Sequence, residues 1–186
     1  TVGSRHPRPI KLLTPLALAA PLSIRVSEKP MKVPFMCTAN SCRSVLSEGL
    51  FNHLAPSGFN AVSSGSFPSG QLNPRAVSTL QALGIDTTDL YSKGSEVFSD
   101  SPPDVVITVC DKAGGEPCPV YFGPAVKSHW GLADPSDVEG TDSDIQAAFD
   151  ATVVQIKKRF EAFFSLDHSA LTPQELKREL DQIGEL

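Results

Sequence analysis

The stretch Val33-Pro34-Phe35-Met36-Cys37-Thr38-Ala39-Asn40-Ser41-Cys42-Arg43-Ser44 decides how this chain folds. An apolar run ends at Cys37, and a segment with leucines at helical spacing begins just after Arg43. A loop between a strand and a helix directs successive backbone N–H groups toward an anion at the helix N-terminus. We therefore interpret residues 37–44 as an oxyanion-binding loop.

Two side chains of this loop carry the expected chemistry. Arg43 follows Cys37 with five residues between them, and its planar fork suits two oxygens of a tetrahedral anion. The helix N-terminus and the guanidinium both favour a thiolate, so we predict that Cys37 is a nucleophile. The remaining members of the expected oxyanion loop are Thr38, Ala39, Asn40, Ser41, Cys42 and Ser44.

The rest of the chain alternates between strand and helix patterns. The strands are predicted at residues 32–36, 59–66, 104–110 and 127–132, and the helices at residues 44–54, 74–83 and 144–166. The run Asp104 to Cys110 is continuous and β-branched, as in a strand that is buried on both faces. This alternation predicts an α/β fold of three layers, with a four-stranded parallel sheet flanked by helices and a ligand site at the carboxyl ends of the strands.

The chain is long enough for one domain, which we place at residues 31–166. Residues 1–30 are rich in proline and arginine and are expected to be a disordered or non-native extension. Residues 167–186 are expected to be a peripheral tail with a short helix that begins near Thr172. Pro34 is unexpected inside a strand because it has no N–H to donate to a neighbour.

The composition restricts the partners and the compartment. With 16 basic and 21 acidic residues, the chain has no basic surplus to bind nucleic acid or an anionic membrane. The apolar stretch from Leu12 to Ile24 is interrupted by prolines and is too short to span a bilayer. Four cysteines without a secretory signal indicate reduced thiols and a cytoplasmic protein, which we expect to be a monomer. Their spacings do not predict a metal site.

The quoted loop resembles the active-site loop of the low-molecular-weight protein tyrosine phosphatase fold, and the resemblance extends from Met31 to about Leu166. The sequence Trp130-Gly-Leu-Ala-Asp134-Pro135 is similar to the Asp-Pro loop of that fold, which implies that Asp134 is the general acid. Phosphatases of this fold usually carry tyrosines after Asp-Pro, whereas this chain has Ser136 and Asp137. This difference disfavours phosphotyrosine as the substrate.

Within this fold the chain looks most like the thioredoxin-coupled arsenate reductases. The resemblance implies that Cys37 binds arsenate, that Cys110 then attacks Cys37, and that Cys118 finally resolves the disulfide. A thioredoxin, or a glutaredoxin with glutathione, would reduce the product disulfide and thereby complete a role in arsenic resistance. Two alternatives stay open: a phosphomonoester hydrolase that uses Cys37, Arg43 and Asp134, and a thiol-based arsenical or redox sensor without turnover.

The resemblance also concerns residues that support the loop. Asn40, Glu48 and Ser63 resemble positions that, in some thioredoxin-coupled members, form a hydrogen-bond network near a potassium ion. The resemblance therefore allows a potassium ion at these residues, but no cofactor is expected to be required for the reaction. Lys93 stands where another oxygen ligand would be expected, and its ammonium group offers a charge in place of that cation. Ser44 is expected to support the loop through its hydroxyl group.

Overall fold

The computed structural model describes residues 29–111, 120–121 and 123–186. Residues 1–28 of the predicted extension, which was placed at residues 1–30, and the predicted third thiol, Cys118, lie outside the described residues. The strands are β1 (Met31–Cys37), β2 (Phe59–Gly65), β3 (Val105–Thr108) and β4 (Val126–His129). The helices are α1 (Arg43–Leu54), α2 (Pro74–Ala82), α3 (Asp142–Phe164) and α4 (Pro173–Gly184).

The four strands form one parallel sheet in the order β2-β1-β3-β4. The predicted α/β fold, with a four-stranded parallel sheet flanked by helices, is confirmed. Because β1 lies between β2 and β3, the carboxyl end of β1 opens at the centre of one edge of the sheet, where a ligand site is expected. β3 and β4 end earlier than predicted, since residues 109–110 and 130–132 leave the sheet and enter the loops at that edge.

The missing N–H of Pro34 has little effect on the hydrogen bonds between the strands of the sheet. β1 pairs with β2 along its whole length but pairs with β3 only at Phe35 and Met36. The Met36 carbonyl accepts a hydrogen bond from the N–H of Val109 beyond the end of β3, at 2.8 Å. In a parallel strand, residues two apart face the same neighbour, so the nitrogen of Pro34 also faces β3. The proline therefore stands at the point where the ladder with β3 begins and leaves the pairing with β2 intact.

The larger core lies on one face of the sheet and includes buried residues of α1, α2, α3 and α4. Phe35 of β1, Phe51 of α1 and Phe160 of α3 meet there, with ring centroids between 5.1 and 5.6 Å apart. A smaller cluster of Met36, Phe98 and Val106 covers the opposite face beneath a short 3-10 helix, Ser95–Phe98. No helix in the described ranges has the length and apolar character that a bilayer crossing requires.

The last helix is not the peripheral tail that we expected. Leu176, Leu180 and Ile183 on one face of α4 are buried in the larger core. The indole N–H of Trp130, just after β4, donates to the Leu180 carbonyl at 2.8 Å. The helical spacing of these residues is visible in the sequence, but their partner surface beside β4 forms only when the sheet assembles. α4 thus belongs to the same packed unit as the sheet.

Candidate active site

Cys37 is the last residue of β1, and its sulfur lies at the floor of the loop that leads into α1. The Ser44 hydroxyl lies 2.9 Å from Cys37 Sγ, and the backbone N–H of Asn40 donates to the same sulfur at 3.2 Å. The Asn40 side-chain amide donates in turn to Ser44 Oγ at 2.9 Å. Asn40 adopts a φ of 47°, a left-handed conformation that asparagine tolerates better than most residues. The sulfur therefore has two hydrogen-bond partners within the loop and at the start of α1.

The loop turns its carbonyl groups outward. Those of Cys37, Thr38, Ala39 and Ser41 accept backbone hydrogen bonds from residues 66, 67, 69 and 73, respectively, at 2.8 to 3.2 Å. The Ser92 hydroxyl also donates to the Ala39 carbonyl at 3.2 Å. When the carbonyl groups of a curved segment point outward, its N–H groups point to the concave side and can bind an anion. We call this concave side of residues 37–44 the cup.

A close backbone approach makes this arrangement possible. A Cβ atom built on Gly65 would lie 2.6 Å from the Thr38 carbonyl oxygen. Sequence reasoning missed both the segment 66–73 and Ser92 as supports of the cup. The small residues Ser63-Ser64-Gly65-Ser66 at the end of β2 were the available signal, because only small residues allow such close backbone contact.

Arg43 and the predicted acid meet at the mouth of the cup. The Arg43 side chain is buried, with an exposed fraction of 5%. Its Nη2 lies 2.7 Å from Asp134 Oδ2. Nη1 donates to the Leu132 carbonyl at 3.0 Å. Asp134 also accepts a hydrogen bond from the N–H of Ser136 at 3.0 Å, which makes it the cap of a short 3-10 turn. The predicted anion clamp and the predicted acid are therefore in direct contact, at the end of the loop that begins at Cys37.

Behind the cup lies a buried ionic network. The Lys93 ammonium lies 2.8 Å from Glu48 Oε2 and 3.3 Å from the Ser63 hydroxyl, which itself donates to Glu48. The backbone N–H of Lys93 donates to Asn40 Oδ1 at 2.7 Å. The structure thus brings together Asn40, Glu48, Ser63 and Lys93 and connects the ion pair to Cys37 through Asn40 and Ser44.

The other cysteines differ in state. Cys110 is fully buried and disulfide-bonded, whereas Cys37 and Cys42 are free thiols. Met36 of β1 is paired with Thr108 of β3, so the residue opposite Cys37 is Val109. Cys110 is the next residue after Val109, and neighbouring strands lie about 4.8 Å apart. Burial, followed by the charge of Asp134, raises the pKa of the Cys42 thiol far above its usual value. Cys42 is consequently a neutral structural thiol.

Comparison with known proteins relates this arrangement to two activities. A family model described as low molecular weight phosphotyrosine protein phosphatase matches residues 32–182. The chain is 33% identical over 129 residues to an arsenate reductase of Shouchella clausii, a match that covers 69% of this chain and 91% of that protein.

Solved structures agree with this similarity. An arsenate reductase in its reduced state superimposes with a TM-score of 0.55 and 27% identity, over 73% of this chain and 97% of that one. A thioredoxin-dependent arsenate reductase from Corynebacterium glutamicum gives a TM-score of 0.54 and 25% identity, over 73% of this chain. The match spans 62% of the Corynebacterium protein's length.

Proposed function

Since the chain belongs to the low molecular weight phosphotyrosine protein phosphatase family, we propose that it reduces arsenate to arsenite by a relay of three cysteines, with thioredoxin as the electron donor. One observation carries the proposal: a disulfide-bonded Cys110 follows the strand next to Cys37, in a site that also holds Arg43 and Asp134. A hydrolytic phosphatase has no use for a second redox thiol, because water completes its reaction.

The first step is the attack of the Cys37 thiolate on arsenic. Arsenate occupies the cup, where the inward N–H groups of the loop and the Arg43 guanidinium neutralise its oxygens. Arg43 is positioned to exchange its contact with Asp134 for the anion. A sulfur–arsenic bond forms, and one oxygen leaves as water after Asp134 assists its protonation.

The redox step transfers an electron pair to arsenic. The Cys110 thiolate attacks the Cys37 sulfur, so a Cys37–Cys110 disulfide forms while the sulfur–arsenic bond breaks. Both electrons of the broken bond stay with arsenic, which leaves as arsenite in the trivalent state. Cys118 then attacks Cys110, and this step releases the Cys37 thiolate. The disulfide bond of Cys110 in the structure supports a redox role for this thiol.

We assign the loop-supporting charge to Lys93 rather than to a potassium ion. The Lys93 ammonium already contacts Glu48 and Ser63, so a second monovalent cation at these oxygens would meet a like charge. The residues present therefore do not fit potassium. Lys93 stabilises the carboxylate of Glu48 and, through its backbone N–H, orients Asn40.

The test is a thiol count after a single turnover. The reduced protein receives one equivalent of arsenate, and mass spectrometry should find a loss of two hydrogens that maps to Cys110 and Cys118, together with one equivalent of arsenite. Phosphate, which cannot accept the electrons, is the control and should leave all thiols reduced. Cys110→Ser should stop arsenate turnover. A Cys110→Ser protein that produces arsenite at the parental rate would refute the relay.

The second candidate is a phosphomonoester hydrolase, and it is favoured by the same trio of Cys37, Arg43 and Asp134. The two functions differ in their need for Cys110, because hydrolysis of a small aryl phosphate should survive Cys110→Ser. The donor is tested by multiple-turnover reduction of arsenate, in which glutaredoxin and glutathione replace thioredoxin. We propose a cytoplasmic monomer, and sedimentation of the full chain tests the oligomeric state.

A further inference from the structure

An arginine outside the oxyanion site holds the loop that carries the acid. Arg159 of α3 is buried, with an exposed fraction of 6%. Its Nη1 donates to the Gly131 carbonyl at 3.1 Å, and its Nη2 donates to the Gly184 carbonyl at 2.9 Å. One guanidinium therefore links α3 to the acid loop, which we define as residues 131–135, and to the end of α4.

Helix α4 fixes the entrance to the acid loop from the same side. The Ser128 hydroxyl donates to Asp181 Oδ1 at 2.8 Å, in addition to the contact between the Trp130 indole and α4. A Cβ atom built on Gly184 would lie 2.6 Å from the His129 carbonyl oxygen. The end of α4 thus packs directly on the backbone that leads into the loop.

Two arginines hold consecutive carbonyl groups of the acid loop, but they are not equivalent. Arg43 holds the Leu132 carbonyl and the Asp134 carboxylate, and both contacts compete with an incoming oxyanion for the same guanidinium. Arg159 holds the Gly131 carbonyl and has no oxyanion to bind, so its contact persists when Arg43 turns to the substrate.

We propose that Arg159, supported by the end of α4, is a positioning residue that keeps Asp134 at the departing oxygen during turnover. The inference rests on the proposed role of Asp134 as the acid of arsenate reduction. Proton transfer requires heavy atoms about 2.6 to 3.2 Å apart. A misplacement of about 1 Å costs on the order of 100-fold in rate. A lysine at this position has one nitrogen and cannot span both carbonyls in the way that the fork of Arg159 does.

The experiment measures whether Arg159 acts through Asp134. Arg159→Lys and Arg159→Met are made in the parent and in Asp134→Asn, and kcat is measured for arsenate-dependent oxidation of thioredoxin. In the parent, kcat should fall by roughly 10- to 100-fold, with Lys less affected than Met. In the Asp134→Asn background the same substitutions should cost less than about 2-fold, because the proton donor is already gone. Equal losses in both backgrounds would show a purely structural role and overturn the proposal.

Aryl phosphates separate this inference from the proposed reductase function. Hydrolysis of 4-nitrophenyl phosphate, which has a good leaving group, needs little acid assistance, whereas phenyl phosphate needs it strongly. Arg159→Lys should therefore slow only the phenyl ester. A parent protein that hydrolyses both esters but leaves arsenate unreduced contradicts the reductase function alone. Equal slowing of both esters contradicts the role of Arg159.

Two further variants complete the test. Gly184→Ala favours the helix by its intrinsic propensity, yet its methyl group must push the end of α4 away from the His129 carbonyl. We expect it to show the same dependence on Asp134 without a loss of folding, which far-UV circular dichroism reports. Arg178→Met, at an exposed arginine of α4, is the matched control and should keep the parental kcat. A Gly184→Ala protein with parental kcat on arsenate would count against the support from α4.

Discussion

Replacing Lys93 by methionine tests the network behind the cup. The change keeps most of the apolar stem but removes the ammonium group from Glu48, whose side chain is 10% exposed. The carboxylate then retains the Ser63 hydroxyl but has no counter-charge in a buried site. We expect a large loss of stability, because an ionised carboxylate without a partner pays the cost of leaving water.

The expected magnitude follows from the burial of the pair. Removing one partner of a buried ion pair destabilises a protein by about 3 to 5 kcal/mol. For a chain of this size, this loss corresponds to a decrease in the melting temperature of roughly 6 to 20 °C. The assay is urea unfolding followed by Trp130 fluorescence. Lys177→Met is the matched control: its partner Asp181 is 48% exposed, so we expect a loss below about 1 kcal/mol.

If Lys93→Met and Lys177→Met lost equal and small amounts of unfolding free energy, the reasoning would be refuted. The buried ion pair would then contribute no more to stability than a surface pair. Lys93→Ala adds a second criterion. With the ammonium gone, the oxygens of Glu48 and Ser63 and the Tyr91 carbonyl become free to accept a cation. We expect potassium to raise the stability of Lys93→Ala, measured against a sodium control, and to leave the parent unchanged.

Asp134→Asn should lower kcat for arsenate by about 100- to 10,000-fold, measured by coupled thioredoxin oxidation, because the amide cannot donate the acid proton. Gly65→Ala should raise the inhibition constant of phosphate by roughly 10-fold or more, because the new methyl group would lie 2.6 Å from the Thr38 carbonyl and displace the cup. Burial lowers the pKa of His168 below its usual 6.5, although the hydrogen bond with the Phe163 carbonyl and the charge of Asp167 act in the opposite direction. Its contribution to stability is therefore complete above pH 6.5 and is lost as the pH falls through the folded pKa, and urea unfolding at several pH values should lose this slope in His168→Phe.

The parts of the site that lie close in sequence were predictable. The loop from Cys37 to Ser44 combines a strand end, short polar residues and a helix start, and each of these is a local property. The strand pattern placed Cys110 at the same edge of the sheet, because carboxyl ends of parallel strands meet there. The Asp-Pro motif at Asp134 needed the resemblance to the phosphatase fold for its role.

The contacts between distant segments were not predictable from the sequence. Nothing local to Arg159 indicates that its fork reaches carbonyls at residues 131 and 184, because those contacts depend on how α3 and α4 pack beside β4. The burial of α4 was missed for the same reason. Pro34 had no explanation until the strand order showed that its missing N–H faces the short ladder with β3.

The neutral state of the Cys42 thiol affects which cysteine forms a disulfide with Cys37. Cys42 is next to the clamp arginine and only five positions from Cys37, close enough in the loop to be a rival for any electrophilic sulfur there. A thiolate at this position would attack the arsenylated Cys37, release arsenite and leave a Cys37–Cys42 disulfide in place of the Cys37–Cys110 disulfide. Burial keeps the proton on that sulfur, so Cys42 does not compete with Cys110 and the disulfide forms on the thiol that the relay uses.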